Sequence, residues 1–432
     1  MNLRKLLTMG ALTVASIALA AAQGMGPGSK TKPGEEIRNF SGVMQMTFGM
    51  VKRADGTFES TQGMMVPFTA ERIEASTKPG HAPPRGGRNA ITAYNNDTPG
   101  TYFYSGSGFP MPSSLDDIVM TPAGQGQPWQ NLTVGYHAES TSQILLRWIV
   151  FDSFTSGRGA GISAFDTVRA DFGGFYTFPS AGDWKITFNI SIIGVTVPDG
   201  SCYFASQIRA PVASGEGAFR QDFWTMFSGG GTASGSSEDN FYYDFNEMDG
   251  IYDELEADNF GGPPGLANLL LRVDTGGTVS EAYPLLYQVL SGNSIEGSFP
   301  DLWFADNVFV RIRESLASEE VYPVSVMIEG QAPVANVTSL TFNLDAKVSY
   351  GGAELEVALW KWTTSQWVVI AKRPAPTTVT ALSWTLGTSP IPFVNQSTRR
   401  MRARVRWQPL ASETTDLMVA SIDRSTWLIG RP

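Results

Sequence analysis

The chain has 432 residues, 31 Lys and Arg against 41 Asp and Glu, a formal charge of −10, one cysteine and two histidines. An acidic chain lacks the basic surface that phosphate backbones demand, so nucleic acid is excluded as an expected partner. A lone cysteine closes no internal disulfide, so the fold must rest on burial and hydrogen bonding, for which 42% hydrophobic residues are ample.

The N-terminus reads as an export signal. Arg4 and Lys5 precede an uncharged apolar stretch from Leu6 to Leu19, and Ala18, Ala20 and Ala22 supply the small residues a signal peptidase needs. Residues 1–22 are expected to be a signal peptide cleaved near Ala20–Ala22, which makes the mature protein secreted, either extracellular or at the cell surface. The apolar run is shorter than the roughly 20 residues of a membrane span. No later segment qualifies, so no transmembrane segment is expected in the mature chain. Residues 23–38 hold mainly Gly, Pro and charge and read as a disordered lead-in.

Residues 39–318 alternate with period two. Met44, Met46, Phe48 and Met50 share one strand face. Trp184, Ile186, Phe188, Ile190 and Ile192 share another, with Lys185, Thr187, Asn189 and Ser191 opposite. Such aromatic and β-branched residues pack on pleated surfaces, so this β-rich body is expected to form one large or two small sandwiches. Short helices suggest themselves only at 251–257 and 263–271. Cys202, in the apolar run Cys-Tyr-Phe-Ala, reads as a buried small hydrophobe.

Residues 321–432 form the clearest unit. Strands are expected at 323–330, 339–348, 353–362, 366–372, 377–387, 400–408 and 416–429, which suits one seven-strand sandwich. The fold class is therefore all-β: tandem antiparallel β-sandwiches with a C-terminal seven-strand module. The segment Trp362-Thr-Thr-Ser-Gln-Trp367 reads as a hairpin that sets two Trp side chains opposite each other. This end is also the basic one, with 11 Lys and Arg against 7 Asp and Glu from Val321 onward.

Two stretches carry a family resemblance. ALWKWTTSQWVVIAKR followed by FVNQSTRRMRARVRW resembles a C-terminal β-sandwich module of secreted proteins from environmental bacteria. FYYDFNEMDGIYDELEADNFGGPPGLANLLLRV is similar to segments in the bodies of such proteins. The likeness spans about 140 residues of strand-and-turn patterning. It implies a secreted β-sandwich protein and brings no assigned chemistry.

Three constellations are candidates for function. The first is the window 238–258, with nine carboxylates and no Lys or Arg. Asp244, Asn246, Asp249, Asp253 and Glu256 approximate a calcium loop, which needs oxygen ligands on alternate residues and a Gly at the sharp turn. The spacing slips: Met248 stands at the fifth position, Asp249 at the sixth and Leu255 at the twelfth. A one-residue insertion would restore the set, and calcium is the one cofactor this sequence suggests. A solvated acidic loop is the plain alternative. The same carboxylates could supply a glycosidase pair. Nucleophile signatures are absent: there is no Gly-x-Ser-x-Gly or His-Glu-x-x-His, and His81 and His137 stand apart.

The second and third lie in the C-terminal module. Trp360 and Trp362 share the strand face of Glu354 and Glu356, where they would either stack on sugar rings or pack within the hairpin. Arg402, Arg404 and Arg406 alternate with Met401, Ala403, Val405 and Trp407, so three guanidiniums share one face. They would grip an anionic polysaccharide or a lipid headgroup, or else pair with Glu354 and Glu356 as a charge ladder. The leading expectation is a non-catalytic cell-surface or extracellular structural or binding protein, contacting polysaccharide and stabilised by calcium. The alternative is a secreted glycan-acting hydrolase using carboxylates of 238–258.

Overall fold

The computed structural model describes residues 39–431, apart from 54, 74–90, 98–101, 104–112, 153–167, 213–216, 219, 221, 229–231, 238–240, 245–254, 259–267, 277–278, 304, 306, 316–321, 350 and 411–416. The signal peptide and lead-in lie outside the described residues. Among those described, regular structure is strand, with two short 3-10 turns, and no helix is long and apolar enough to cross a membrane. The all-β, antiparallel class expected from alternation is the class observed.

The N-terminal part is a 14-stranded sheet folded on itself. The strand Asn39–Lys52 joins its two halves. Its first half pairs with Met65–Arg72 and its second with Val168–Thr177, and the register shifts between Met46 and Phe48. A bulge at this point bends the strand and lets it change layers. Gly49 sits in the bent portion at φ 128°, where a Cβ would fall 2.4 Å from the carbonyl oxygen of Asp171, so the position requires glycine.

Between the layers lies an aromatic core. Trp129, Trp148, Trp184, Tyr136, Tyr176, Phe172 and Phe188 are all fully buried. Trp148 meets Phe188 edge-to-face at 4.6 Å, and Phe68 meets Tyr176 at 5.1 Å. Two polar tips in this core are linked: Trp148 Nε1 donates to the Tyr136 hydroxyl at 2.8 Å, and that hydroxyl is hydrogen-bonded to the Ser206 hydroxyl at 3.1 Å. Asp116 is also buried and accepts from the Leu269 N–H at 2.7 Å and the Ser237 hydroxyl at 3.1 Å. Burial, then the charge of Asp117, pushes its carboxyl well above the usual range, toward the neutral form. Cys202 is buried as expected, and burial pushes its thiol up, away from the reactive thiolate.

The short helix expected at 251–257 is overturned where it can be seen. Leu255–Asp258 is a strand, paired antiparallel with Phe241–Asp244, with Tyr243 opposite Glu256. The ladder reaches the Ser113–Val119 edge, and the gain from extending a sheet outweighs the weak helix propensity of four residues. Of the segment 263–271, residues 268–269 and 271 onward are strand, and 263–267 lie outside the described residues.

The C-terminal part packs a five-stranded sheet on a six-stranded one. The five-stranded sheet orders Pro284–Ser291, Val324–Gln331, Arg400–Pro409, Ala353–Lys361 and Gln366–Pro374. The other is built on Val419–Gly430 and Ser339–Val348, with Thr380–Thr385 at one edge. Pairing also runs upstream of residue 321: Val279–Ala282 and Val310–Arg313 pair with Val419–Gly430, and Asn293–Glu296 pairs with Val310–Arg313. The sandwich therefore takes in strands from Val279 on. Trp407, Trp427, Phe342 and Leu344 fill its core. Gly330 makes room for Trp427, whose ring would lie 2.7 Å from a Cβ there.

Among the described residues, one contact between the two sandwiches centres on a carboxylate. Glu59, on the short strand Phe58–Ser60, accepts from Arg53 Nε at 2.7 Å and pairs with Arg399 of the C-terminal sandwich. Arg53 also donates to the carbonyl of Ile193 at 3.0 Å, and Arg399 to that of Pro333 at 2.7 Å. Arg431 reaches across to the carbonyl of Ser191 at 3.1 Å. Burial, then the nearby Arg53 charge, lowers Arg431 to about 10. Arg399 holds φ 58°, a left-handed conformation unusual for its type, which the two contacts fix.

Two outcomes are expected. Trp427→Ala should lower unfolding free energy by about 3–5 kcal/mol, read from the denaturant midpoint. Glu59→Gln should leave Arg53 and Arg399 facing each other and weaken the contact by about 1–3 kcal/mol, between the limits for exposed and buried broken pairs. Small-angle scattering should then show a larger radius of gyration while near-UV circular dichroism of both cores is kept; an unchanged radius would show that the sandwiches are joined by something else.

Candidate functional site: an arginine and tryptophan sheet face

Alternation in Arg400–Pro409 places Met401, Ala403, Val405 and Trp407 in the core and leaves Arg400, Arg402, Arg404 and Arg406 on the outer face. The strand is central in its sheet, so these arginines look onto neighbours on both sides. Four arginines and Lys372 meet three glutamates there. The face is thus cationic on a chain of net charge −10.

Glu356 anchors one end. It is 2% exposed, accepts from Arg406 Nε and from the Tyr322 hydroxyl, both at 2.9 Å, and lies 3.2 Å from Lys372 Nζ. Burial opposes ionisation of this carboxyl, but the bonds from Arg406, Tyr322 and Lys372 outweigh it and hold the carboxyl below its ordinary value. Glu329 anchors the other end, accepting from Arg402 Nε at 2.5 Å and Arg400 Nη1 at 3.1 Å. The expected pairing of the arginines with Glu356 is present for Arg406 and, at 3.8 Å, for Arg404. Arg402 instead takes Glu329, its register partner on Val324–Gln331, and Glu354 takes Lys372 at 3.6 Å.

The tryptophans are arranged differently from expectation. The hairpin closes with Lys361 opposite Gln366, so Trp367 faces Trp360 rather than Trp362. Four turn residues, ending in Ser365 at φ 52°, take up Trp362 itself. The Trp362 N–H donates to the carbonyl of Pro392 at 2.8 Å, which draws it toward a neighbouring loop. Trp360 stands edge-to-face between both, 5.2 Å from Trp367 and 6.4 Å from Trp362. Guanidiniums lie on the other two rings: Arg402 at 4.8 Å from Trp362 and Arg404 at 4.8 Å from Trp367. Arg406 covers Tyr322 at 3.8 Å. Contact with the rings helps to hold the arginine side chains in place on the face.

Glu329, Tyr322 and Lys372 belong to this face and were not singled out in the sequence. Glu329 carried a usable signal, as the one acid alternating outward in a strand otherwise apolar on its inner side. Tyr322 precedes its strand and Lys372 follows a register shift in Gln366–Pro374, so neither position follows from alternation alone.

The acidic window is only partly placed. Asp244 and Glu256 lie in the two paired strands Phe241–Asp244 and Leu255–Asp258. Asn246, Asp249 and Asp253 lie outside the described residues, as does His81. Among the described residues no group of three or more His, Cys, Asp or Glu is placed to hold a metal ion. His137 sits in a cross-strand row, with its Nδ1 2.5 Å from Asp183 Oδ1 and its ring 5.1 Å from Trp224.

No family model matches the chain, and no curated protein matches it. Among solved structures it is similar to allantoicase from Saccharomyces cerevisiae, at 8% identity and a TM-score of 0.27, over 76% of this chain and 81% of the other. It is also similar to the N-terminal CBM22 tandem domain of Xyn10C from Paenibacillus barcinonensis, at 9% identity and a TM-score of 0.25, over 81% of this chain and 100% of the other.

Because the folded-state pKa of Glu356 is depressed, its contribution to stability is full above the ordinary glutamate pKa of about 4.3 and is lost as pH falls through the lower folded value. Glu356→Gln should therefore destabilise the C-terminal sandwich at neutral pH and flatten the loss of stability below about pH 4. Denaturant melts at several pH values check this; parallel curves for the two proteins would contradict it.

Proposed function

We propose that this is a non-catalytic extracellular binding protein and that its C-terminal sandwich docks polysaccharide on the outer face of the five-stranded sheet. The observation that carries the reading is the fixed layer of guanidiniums held on Trp362, Trp367 and Tyr322. Both carboxylate anchors and all three rings hold that layer before any ligand arrives, so little side-chain entropy is lost on binding. A sugar polymer matches such a surface chemically: hydroxyl oxygens accept from guanidinium edges, and the apolar faces of the rings meet the rims of the indoles. The N-terminal sandwich acts as the platform that carries this face.

Affinity electrophoresis of the mature chain through gels containing different polysaccharides tests the reading. Trp362→Ala removes the ring beneath Arg402, and Trp360→Ala removes the ring that stands between Trp362 and Trp367; each should weaken retention roughly three- to tenfold, the scale of a lost cation–π shelf. Retention by no polysaccharide, or equal retention of both variants with intact circular dichroism, would overturn it.

A further inference from the structure

The register of the five-stranded sheet sorts its outer face into rows of unequal charge. One row runs Lys372, Glu356, Arg406 and Ser325. Another holds Arg402 beside Glu329. The row between them is Val369, Ala358, Arg404, Met327 and Gln288, and it contains no carboxylate.

Arg404 is thus the least neutralised cation on the face. Its nearest carboxylate oxygen, Glu356 Oε1, is 3.8 Å away and already accepts from Arg406. Its Nε is buried and has no hydrogen-bond partner among the described residues. Burial, then the like charge of Arg406, lowers its affinity for its own proton. The side chain is nevertheless 17% exposed, so an incoming group can reach it. Ala358, the residue beside it in this row, is fully covered, so Arg404 itself is what the row offers to an incoming group.

We infer that Arg404 is the anchor for an anionic substituent of the ligand, a carboxylate or sulfate ester, and that the ligand is therefore an acidic polysaccharide rather than a neutral one. The inference rests on the polysaccharide-docking reading above. The guanidinium sits 4.8 Å from the centre of the Trp367 ring, and its exposed part is the point at which an acid group would meet it. A neutral sugar ring has no open indole face at the two rings that Arg402 and Arg404 cover. Arg402, Arg404 and Arg406 each rest against an aromatic ring of the face, a spread arrangement that suits a polymer laid across the sheet better than the headgroups of a membrane.

The probes are polygalacturonate, its fully methyl-esterified form, dextran, dextran sulfate and phosphatidylglycerol vesicles, each with the full mature chain at low and moderate salt. Polygalacturonate or dextran sulfate should bind at least tenfold more tightly than its uncharged counterpart, and the pair that responds distinguishes carboxylate from sulfate. Arg404→Met keeps the apolar stem and should erase the preference, and Arg404→Lys should keep part of it. Arg311→Met removes one exposed charge from the opposite sheet and should leave the preference unchanged. Equal binding of charged and uncharged forms would overturn the inference and leave polysaccharide docking standing. Binding to none of the four polymers would remove both, as would binding to vesicles alone. An undiminished preference in Arg404→Met, with the fold intact, would overturn the role of Arg404.

Discussion

Side chains on a strand alternate between faces, and in Arg400–Pro409 that rule does two things at once. Inward, Met401, Ala403, Val405 and Trp407 close the core. Outward, four arginines appear at every second position. A slip of one residue would bury the guanidiniums and expose the tryptophan, so the cost of desolvating four charges fixes the register of the whole five-stranded sheet. The rows of the face follow from that register together with the register shifts in the two edge strands.

Buried carboxylates in the two sandwiches show how neighbours decide ionisation. Asp116 and Glu356 are both nearly inaccessible. Asp116 has backbone and hydroxyl donors but lies beside another acid, and it is driven toward the neutral form. Glu356 has Arg406, Tyr322 and Lys372 around it and stays charged. The outcomes are opposite because Asp116 is the more deeply buried and meets a like charge, whereas cationic donors outweigh the smaller desolvation at Glu356.

The C-terminal strands were legible because their alternation is strict and their turns are marked by Gly, Pro and Thr. The two strands between Pro284 and Glu296 were not. Pro284–Ser291 exposes Leu286 and Leu290, and Asn293–Glu296 is exposed throughout, so neither displays an inward apolar face to a reader of the sequence. They are edge strands held by backbone pairing, which leaves little trace in composition. The three outward arginines and Trp360 were placed on the right face, but the Trp360–Trp367 pairing depends on where the hairpin closes. That closure is set by Ser365 in a left-handed conformation and by the Pro392 carbonyl, a contact remote in sequence. The partner of Arg402 was missed for the same reason, since Glu329 lies 73 residues away.

Arg399, which grips Glu59 of the N-terminal sandwich, immediately precedes the strand that carries the arginine row. A tug on a ligand held at Arg404 would therefore travel along one extended strand into the ion pair at its root. The covalent link between the sandwiches would bear only part of the load. Antiparallel strands pulled along their length resist in shear, with many hydrogen bonds loaded together. With a ligand bound at Arg404 as proposed, grip and the Arg399–Glu59 anchorage would lie on one continuous length of chain.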